Sequence, residues 1–117
     1  MDWNEIEYIS WREFKEMAPA ILQLEIGHIT KVLPACKDDI EVYNALVSAR
    51  YAARQFAACL QKTEAAPLED ACLAHLNTAI LKLTAAAAGC AGKERQTIHY
   101  IAEHLQAIAT RGRLAYA

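Results

Sequence analysis

Residues 42–60 have the sequence VYNALVSARYAARQFAACL, and this stretch decides the fold class. Its larger side chains and alanines repeat every three or four residues, which places them on one face of an α-helix about five turns long. They are Val42, Leu46, Ala49, Ala53, Phe56 and Leu60. No window of the sequence shows sustained alternation of β-branched residues, so the fold class is predicted to be all-α.

A first helix is predicted before this stretch. Ser10 and Glu13 have the spacing of a capping box, which predicts a helix start at Trp11. Proline lacks the backbone N–H that a helix interior uses, so Pro19 is predicted to kink this helix or to open a second one. Pro34 is predicted to end it.

Further helix starts and ends are marked by capping residues, proline and glycine. Asp38 with Glu41 predicts the start of the second helix, which contains residues 42–60. Pro67 is predicted to be the first residue of the third helix. Gly89 and Gly92 are predicted to separate the third helix from the fourth.

These helices are predicted to form one domain over residues 1–117, because a chain of this length suits a single hydrophobic core. Short connections make successive helices antiparallel, so we expect an antiparallel up-and-down bundle of about four helices. Residues 1–16, the N-terminal arm, are expected to be an acidic, aromatic extension or a short helix. They carry five acidic and two basic residues.

The composition indicates a soluble protein of the cytoplasm without membrane contact. The opening MDWNEIEYIS is acidic and aromatic, unlike a secretory signal, and the longest apolar or glycine run, residues 85–92, is well below the roughly 18 residues of a membrane span. The four cysteines, Cys36, Cys59, Cys72 and Cys90, are widely spaced, which favours reduced thiols over disulfides. Compactness alone suggests a bacterial or phage-like origin.

The pair Glu25 and His28 has the Glu-x-x-His spacing of metal-binding helical bundles. Such bundles also need carboxylates from the other helices, but residues 42–61 and 71–89 contain no Asp or Glu. On the first helix Glu25 lies about 70° from the apolar face and His28 about 130° from it. We therefore expect a solvated histidine beside an acid and no metal or cofactor, with Glu25 and His28 kept as the weak candidate ligands.

The segment LAHLNTAI, residues 73–80, resembles histidine phosphotransfer domains around His75. Those domains are also four-helix bundles, and they carry a Lys and a Gly about one turn after the histidine. Thr78 and Ala79 occupy those positions here, so the resemblance lacks the residues that support the phosphoryl group. The chain is not assigned to that family, and with only isolated glycines and no phosphate loop we do not expect an enzyme.

Four of the nine aromatic residues lie within the first 14 positions: Trp3, Tyr8, Trp11 and Phe14. Tryptophan and tyrosine surrounded by charge often anchor protein interfaces. The alternative is that the N-terminal arm covers one end of its own bundle. The sequence leaves both interpretations open.

The second helix carries an additional stripe beside its apolar face, here called the tyrosine–arginine stripe. It consists of Tyr43, Val47, Arg50, Tyr51 and Arg54. Arginine interleaved with tyrosine can bind nucleic acid, but the net charge of −2 makes nucleic acid an unlikely partner. The acidic arm of another subunit can also bind to this stripe and pair with its arginines.

The sequence therefore predicts a small adaptor, regulator or inhibitor that acts by binding another protein or itself, as a homodimer. One alternative is a nucleic-acid-associated regulator that uses Arg50, Arg54 and the basic tail at Arg111 and Arg113. The other is a metal- or thiol-dependent bundle, for which Cys36, in a predicted loop, is the candidate reactive thiol.

Overall fold

The computed structural model describes residues 3–116, with side chains described from Glu5 to Tyr116. Short 3₁₀ helices lie over Trp3–Tyr8 and Leu33–Cys36, and the α-helices are α1 (Trp11–Val32), α2 (Ile40–Lys62), α3 (Asp70–Ala88) and α4 (Gly92–Arg113). Within this described range there is no β-strand. The predicted all-α fold is confirmed.

The four helices form a bundle in which each helix packs against the next and α4 packs back against α1. The end of α2 meets the start of α3 at Cys59 and Cys72, and the end of α4 meets the start of α1 at Arg111 and Trp11. These contacts show the antiparallel order. The Cα radius of gyration, 13.9 Å, is close to the value of about 13.4 Å for a compact chain of this length.

The predicted start of α1 is confirmed, and that of α2 is shifted by one residue. Ser10 caps α1, its hydroxyl accepting a hydrogen bond from the backbone N–H of Glu13 at 3.1 Å. Asp39 rather than Asp38 caps α2, because the extended backbone at Asp39 brings its carboxylate to the N–H of Val42 at 3.2 Å.

Pro19 does not open a second helix, and the prediction based on Pro67 is wrong as well. Pro19 lies inside a continuous α1, which is held on both sides by the fully buried side chains of Ala18 and Leu22. Pro67 does not begin α3, which starts three residues later at Asp70. The backbone N–H of Leu68 instead donates to the carbonyl of Gly112 at 2.9 Å, which ties this connection to the end of α4.

The core is continuous through the bundle and rich in alanine on α2 and α3. Its larger members include Phe56, Leu60 and Leu83, all almost fully buried. The small buried residues of these two helices are Ala45, Ala49, Ala52, Ala53, Ala79, Ala86 and Ala87. Because these side chains add little volume, the large residues of facing helices can fill the space between them.

α3 is long and apolar enough, by length and composition alone, to cross a membrane. A core helix of a soluble protein has the same properties. In this fold α3 packs between α2 and α4 and buries Leu73, Leu76 and Leu83 against them. The overall form is that of a compact, soluble-type globule.

Candidate interaction surface

The tyrosine–arginine stripe lies on the outer side of α2. Tyr43 and Tyr51 are 37% and 57% exposed, Arg54 is exposed, and Val47 and Arg50 are half-buried. Tyr43, Val47 and Tyr51 are spaced four residues apart, so they follow one line along the helix. The stripe is therefore a continuous surface feature that another molecule can reach.

A groove of about 390 Å³ runs beside this stripe, between α2 and α3. Val47 and Tyr51 form its α2 side, while His75 and Lys82 lie on its α3 side. The ring of Tyr51 meets the imidazole of His75 edge-on, with the ring centres 6.4 Å apart. This contact places the ring of Tyr51 beside His75 at the edge of the groove.

The face of the bundle that carries this groove is basic. Neither residues 42–61 nor residues 71–89 contain a carboxylate that would balance its positive charges. Its charged side chains are Arg50, Arg54 and Lys82, with His75 between the helices. A guanidinium nitrogen of Arg50 donates to the hydroxyl of Thr30 on α1 at 3.3 Å. This part of the surface, here called the basic face of α2 and α3, can attract an acidic partner.

The N-terminal arm packs largely on its own bundle. Trp11 and Phe14 are in the core, with exposures of 6% and 0%. The expectation that these two side chains contact a partner is therefore wrong. The reason is that the start of α1 directs their rings toward the end of α4. Tyr8 remains 78% exposed. The side chain of Trp3 lies outside the described residues.

Arg111 joins the arm to the end of α4. It is therefore not part of an exposed basic tail, as the sequence suggested. Its side chain is fully buried, and its Nε donates to the carbonyl of Ile9 at 2.9 Å. The guanidinium carbon lies 4.2 Å from the ring centre of Tyr116 and 5.5 Å and 5.7 Å from those of Trp11 and Phe14. Burial lowers the pKa of Arg111, and Tyr116 opposes that shift.

Glu25 does not lie on an open flank of α1, as the helical angle suggested, but is buried with 2% exposure. The reason is that α4 covers this flank and brings Nδ1 of His104 within 2.6 Å of Oε1 of Glu25. His28, in contrast, is more than half exposed, with its Nδ1 3.4 Å from the other carboxylate oxygen. The ring of His104 also stacks beside Tyr100.

Glu25, His28 and His104 thus form a carboxylate with a histidine on either side. Within residues 3–116, no group of three or more His, Cys, Asp or Glu side chains is arranged to hold a metal ion. The arrangement instead fits a buried acid held by one short and one longer hydrogen bond. The chain position of His104 gave no signal of this contact, because the pairing depends on how α1 and α4 meet.

A surface depression with a volume of about 730 Å³ lies between the 3₁₀ helix of the arm, α3 and α4. Tyr8 and Tyr100 line it together with Glu7, Glu103 and His104. It is open to solvent and acidic in character. This acidic groove lies between α3 and α4, whereas the groove beside the tyrosine–arginine stripe lies between α2 and α3.

The expectation of four reduced cysteines is wrong for two of them. Cys59 and Cys72 form a disulfide, with their Cα atoms 5.9 Å apart, which is the usual spacing. The end of α2 and the start of α3 meet there, which the 13-residue separation alone could not reveal. Cys36, expected in a loop, ends a 3₁₀ helix and is buried.

Burial also makes Cys36 a weak nucleophile. It raises the pKa of the Cys36 thiol, and Cys90, Glu94 and Asp39 raise it further. The pKa of Cys90 is raised by burial and by the same two carboxylates. The thiolate is the reactive form of cysteine. Neither thiol has the electropositive surroundings that stabilise the thiolate of a catalytic cysteine.

No protein family, curated protein or solved structure matches this chain.

Proposed function

We propose that this chain is a non-enzymatic protein-interaction module that associates with a second copy of itself. The basic face of α2 and α3, with the tyrosine–arginine stripe, is the contact surface. The exposed part of the N-terminal arm is its counterpart on the second copy. Such a module acts by occlusion or by scaffolding, as an adaptor, regulator or inhibitor does.

The observation that carries this proposal is the separation of charge across the bundle. The basic face of α2 and α3 has no carboxylate of its own, whereas the arm exposes Glu5, Glu13 and Glu16 beside one exposed arginine, Arg12, which pairs with Glu16 at 3.5 Å. A two-fold arrangement lets each arm meet the basic face of the other copy, so that the same contact forms twice. Opposite charges at such a contact fix the register and speed association.

The aromatic residues supply the apolar part of the contact. Tyr51 is held against His75 at the edge of the groove, so little side-chain freedom is lost when a partner covers it. Tyr43 lies two turns away on the same line of α2. Tyrosine and arginine are the residue types that most often dominate binding energy at the centre of an interface.

The first test is the mass of the native protein across a dilution series, measured by light scattering and native mass spectrometry. We expect a dimer that dissociates on dilution and more readily as the salt concentration rises. A monomer at every concentration would overturn self-association. The same spectra report any bound metal, and a stoichiometric metal would favour the metal-dependent alternative.

The second test reverses charges on each side of the proposed contact. Arg50→Glu with Arg54→Glu should raise the dimer dissociation constant at least about tenfold, a change of roughly 1.4 kcal/mol. Adding Glu13→Lys and Glu16→Lys should restore dimerisation.

The matched control for this charge reversal is Lys93→Glu with Arg95→Glu at the exposed start of α4. It makes the same change in net charge away from the proposed contact, so the dimer should persist. Equal weakening by the two reversals would mean that net charge, rather than this face, governs association.

A nucleic-acid-associated regulator is the alternative that the basic face also favours. The available positive charge is smaller than the sequence suggested, since Arg111 is buried. Retention on single-stranded DNA or RNA that weakens steeply with salt, and is lost in Arg50→Ala with Arg54→Ala, would favour this alternative. Failure to bind at low salt would remove it.

The cellular compartment also stays a prediction. The composition favours the cytoplasm, whereas the disulfide between Cys59 and Cys72 is more common in oxidising compartments. Fractionation of cells that express the full chain, with thiols trapped at lysis, would decide between them. A cytoplasmic chain with Cys59 and Cys72 reduced would support the prediction from composition.

A further inference from the structure

Cys36 and Cys90 lie at the same end of the bundle, on different connections. Cys36 ends the 3₁₀ helix that joins α1 to α2, and Cys90 lies in the connection between α3 and α4. Both line one small cavity of about 190 Å³, together with Asp39 and Glu94. The fold therefore brings together two thiols that are 54 residues apart in sequence (90 − 36).

The two thiols differ in accessibility. Cys36 is buried with 6% exposure, while Cys90 is only partly buried and can be reached from solvent. A dissolved reagent therefore meets Cys90 first. Cys36 lines the same cavity, where it can act as the resolving thiol that attacks the Cys90 sulfur of a mixed disulfide.

We propose that Cys36 and Cys90 are a redox-sensitive thiol pair that a small-molecule disulfide such as oxidised glutathione converts into a second intramolecular disulfide. In the first step the Cys90 thiolate attacks one sulfur of oxidised glutathione, forming a mixed disulfide and releasing one glutathione thiolate. In the second step the Cys36 thiolate attacks the Cys90 sulfur and releases the second glutathione. The protein loses two protons and two electrons, and one oxidised glutathione becomes two reduced molecules.

The carboxylates at the cavity set the pace of this reaction. Asp39 and Glu94 disfavour the thiolate at both cysteines, in the same direction as burial. Oxidation should therefore be slow near neutral pH. Its rate should rise about tenfold for each unit by which the pH increases, until the pH reaches the thiol pKa values. Asp39→Asn or Glu94→Gln should speed the first step at a fixed pH.

The consequence for the fold is a crosslink at each end of the bundle. The disulfide between Cys59 and Cys72 joins α2 to α3 at one end. The proposed one joins the α1–α2 connection to the α3–α4 connection at the other end. The melting temperature should rise when the second crosslink forms, and the exposed surfaces of α2 should be unaffected.

The test is incubation of the folded protein with oxidised glutathione, followed by acid quenching, alkylation under denaturing conditions and peptide mapping. We expect a peptide that links Cys36 to Cys90 and an intact mass lower by two hydrogen atoms than before oxidation. Persistence of a glutathione adduct on Cys90 beside a free Cys36 would overturn the proposal. So would two thiols that stay unmodified at alkaline pH while the protein remains folded.

Single variants separate the two steps. Cys36→Ser should accumulate the glutathione adduct on Cys90, because the resolving thiol is missing, and Cys90→Ser should leave Cys36 unmodified. Cys36→Ala serves the same purpose if the serine hydroxyl disturbs the core. Rapid modification of Cys36 in folded Cys90→Ser would contradict the assigned order of attack.

Discussion

Oε1 of Glu25 and Nδ1 of His104 lie 2.6 Å apart, although 79 residues separate them in the chain. The contact joins the middle of α1 to the middle of α4. Glu25 is nearly excluded from water, whereas the imidazole of His104 keeps partial access to it. A buried carboxylate is stable only when hydrogen bonds replace its water, so this pair constrains how α1 and α4 pack.

Removing His104 should therefore destabilise the fold. His104→Ala leaves Glu25 with the weaker contact to His28, and we expect the free energy of unfolding to fall by about 1–3 kcal/mol. Urea denaturation followed by circular dichroism measures it. His28→Ala is the control and should cost less than about 1 kcal/mol, since His28 is largely exposed. Equal losses in both variants would contradict the assigned importance of the short contact.

Arg111→Ala should loosen the N-terminal arm. The change removes the hydrogen bond to the carbonyl of Ile9 and the stacking on Trp11, and hydrogen bonds from charged groups contribute about 1.5–3 kcal/mol. We expect faster proteolysis within the arm and a lower free energy of unfolding. Arg113 is exposed and lies two residues further along α4, so Arg113→Ala should change neither the proteolysis of the arm nor the free energy of unfolding. An arm that stays protected in Arg111→Ala would show that apolar packing alone holds it.

The disulfide between Cys59 and Cys72 should contribute to stability mainly by restricting the unfolded chain. For a closed loop of this size the chain-entropy estimate is about 3 kcal/mol. Cys59→Ala with Cys72→Ala should lower the free energy of unfolding by up to that amount in non-reducing buffer. Reductant should destabilise the unsubstituted protein similarly and leave the double variant unchanged. A reductant effect that persists in the double variant would point to another crosslink.

Two glycines should respond in opposite ways to a larger side chain. Gly27 lies inside α1 with nothing within 4 Å of an added Cβ, so Gly27→Ala should stabilise the protein by about 0.5–1 kcal/mol. An added Cβ at Gly112 would lie 2.8 Å from Cδ1 of Leu68. Gly112→Val should therefore destabilise by about 1–3 kcal/mol through overpacking. Thermal denaturation of both variants checks the two signs together.

Stability should fall at alkaline pH partly because of Cys36. Its pKa is raised in the folded state, chiefly by burial, so the folded chain binds this proton more tightly than the unfolded chain does. The contribution is complete below the unfolded pKa of the thiol and is lost as the pH rises through the folded pKa. Cys36→Ala should show a shallower alkaline decline in the free energy of unfolding, measured by urea titrations at constant ionic strength. An identical slope in both proteins would contradict this assignment.

The fold could be predicted because its signals are local. The apolar spacing along residues 42–60 and the cap at Ser10 depend on neighbours within one or two turns, and both have their counterparts in the structure. Proline was less informative. Packing on both sides of Pro19 maintains a helix that the lost backbone hydrogen bond alone would weaken.

The important polar contacts could not be predicted, because they join residues on different helices. The helical angle placed Glu25 beside the core of an isolated α1, but only the position of α4 shows that His104 covers it. Arg111 looked like part of a basic tail for the same reason, since the ring of Tyr116 and the carbonyl of Ile9 are brought to it by folding. The tyrosine–arginine stripe, in contrast, lies on one helix, and its exposure followed from the helical period.

The buried guanidinium of Arg111 has a topological consequence. It bonds to the carbonyl of Ile9 at 2.9 Å and to the carbonyl of Tyr116 at 3.2 Å, so residues near the two ends of the described chain lie within the reach of one side chain. A short linker could join them, and the chain could be reopened between α2 and α3. In such a circular permutant, the disulfide between Cys59 and Cys72 would tether the new ends.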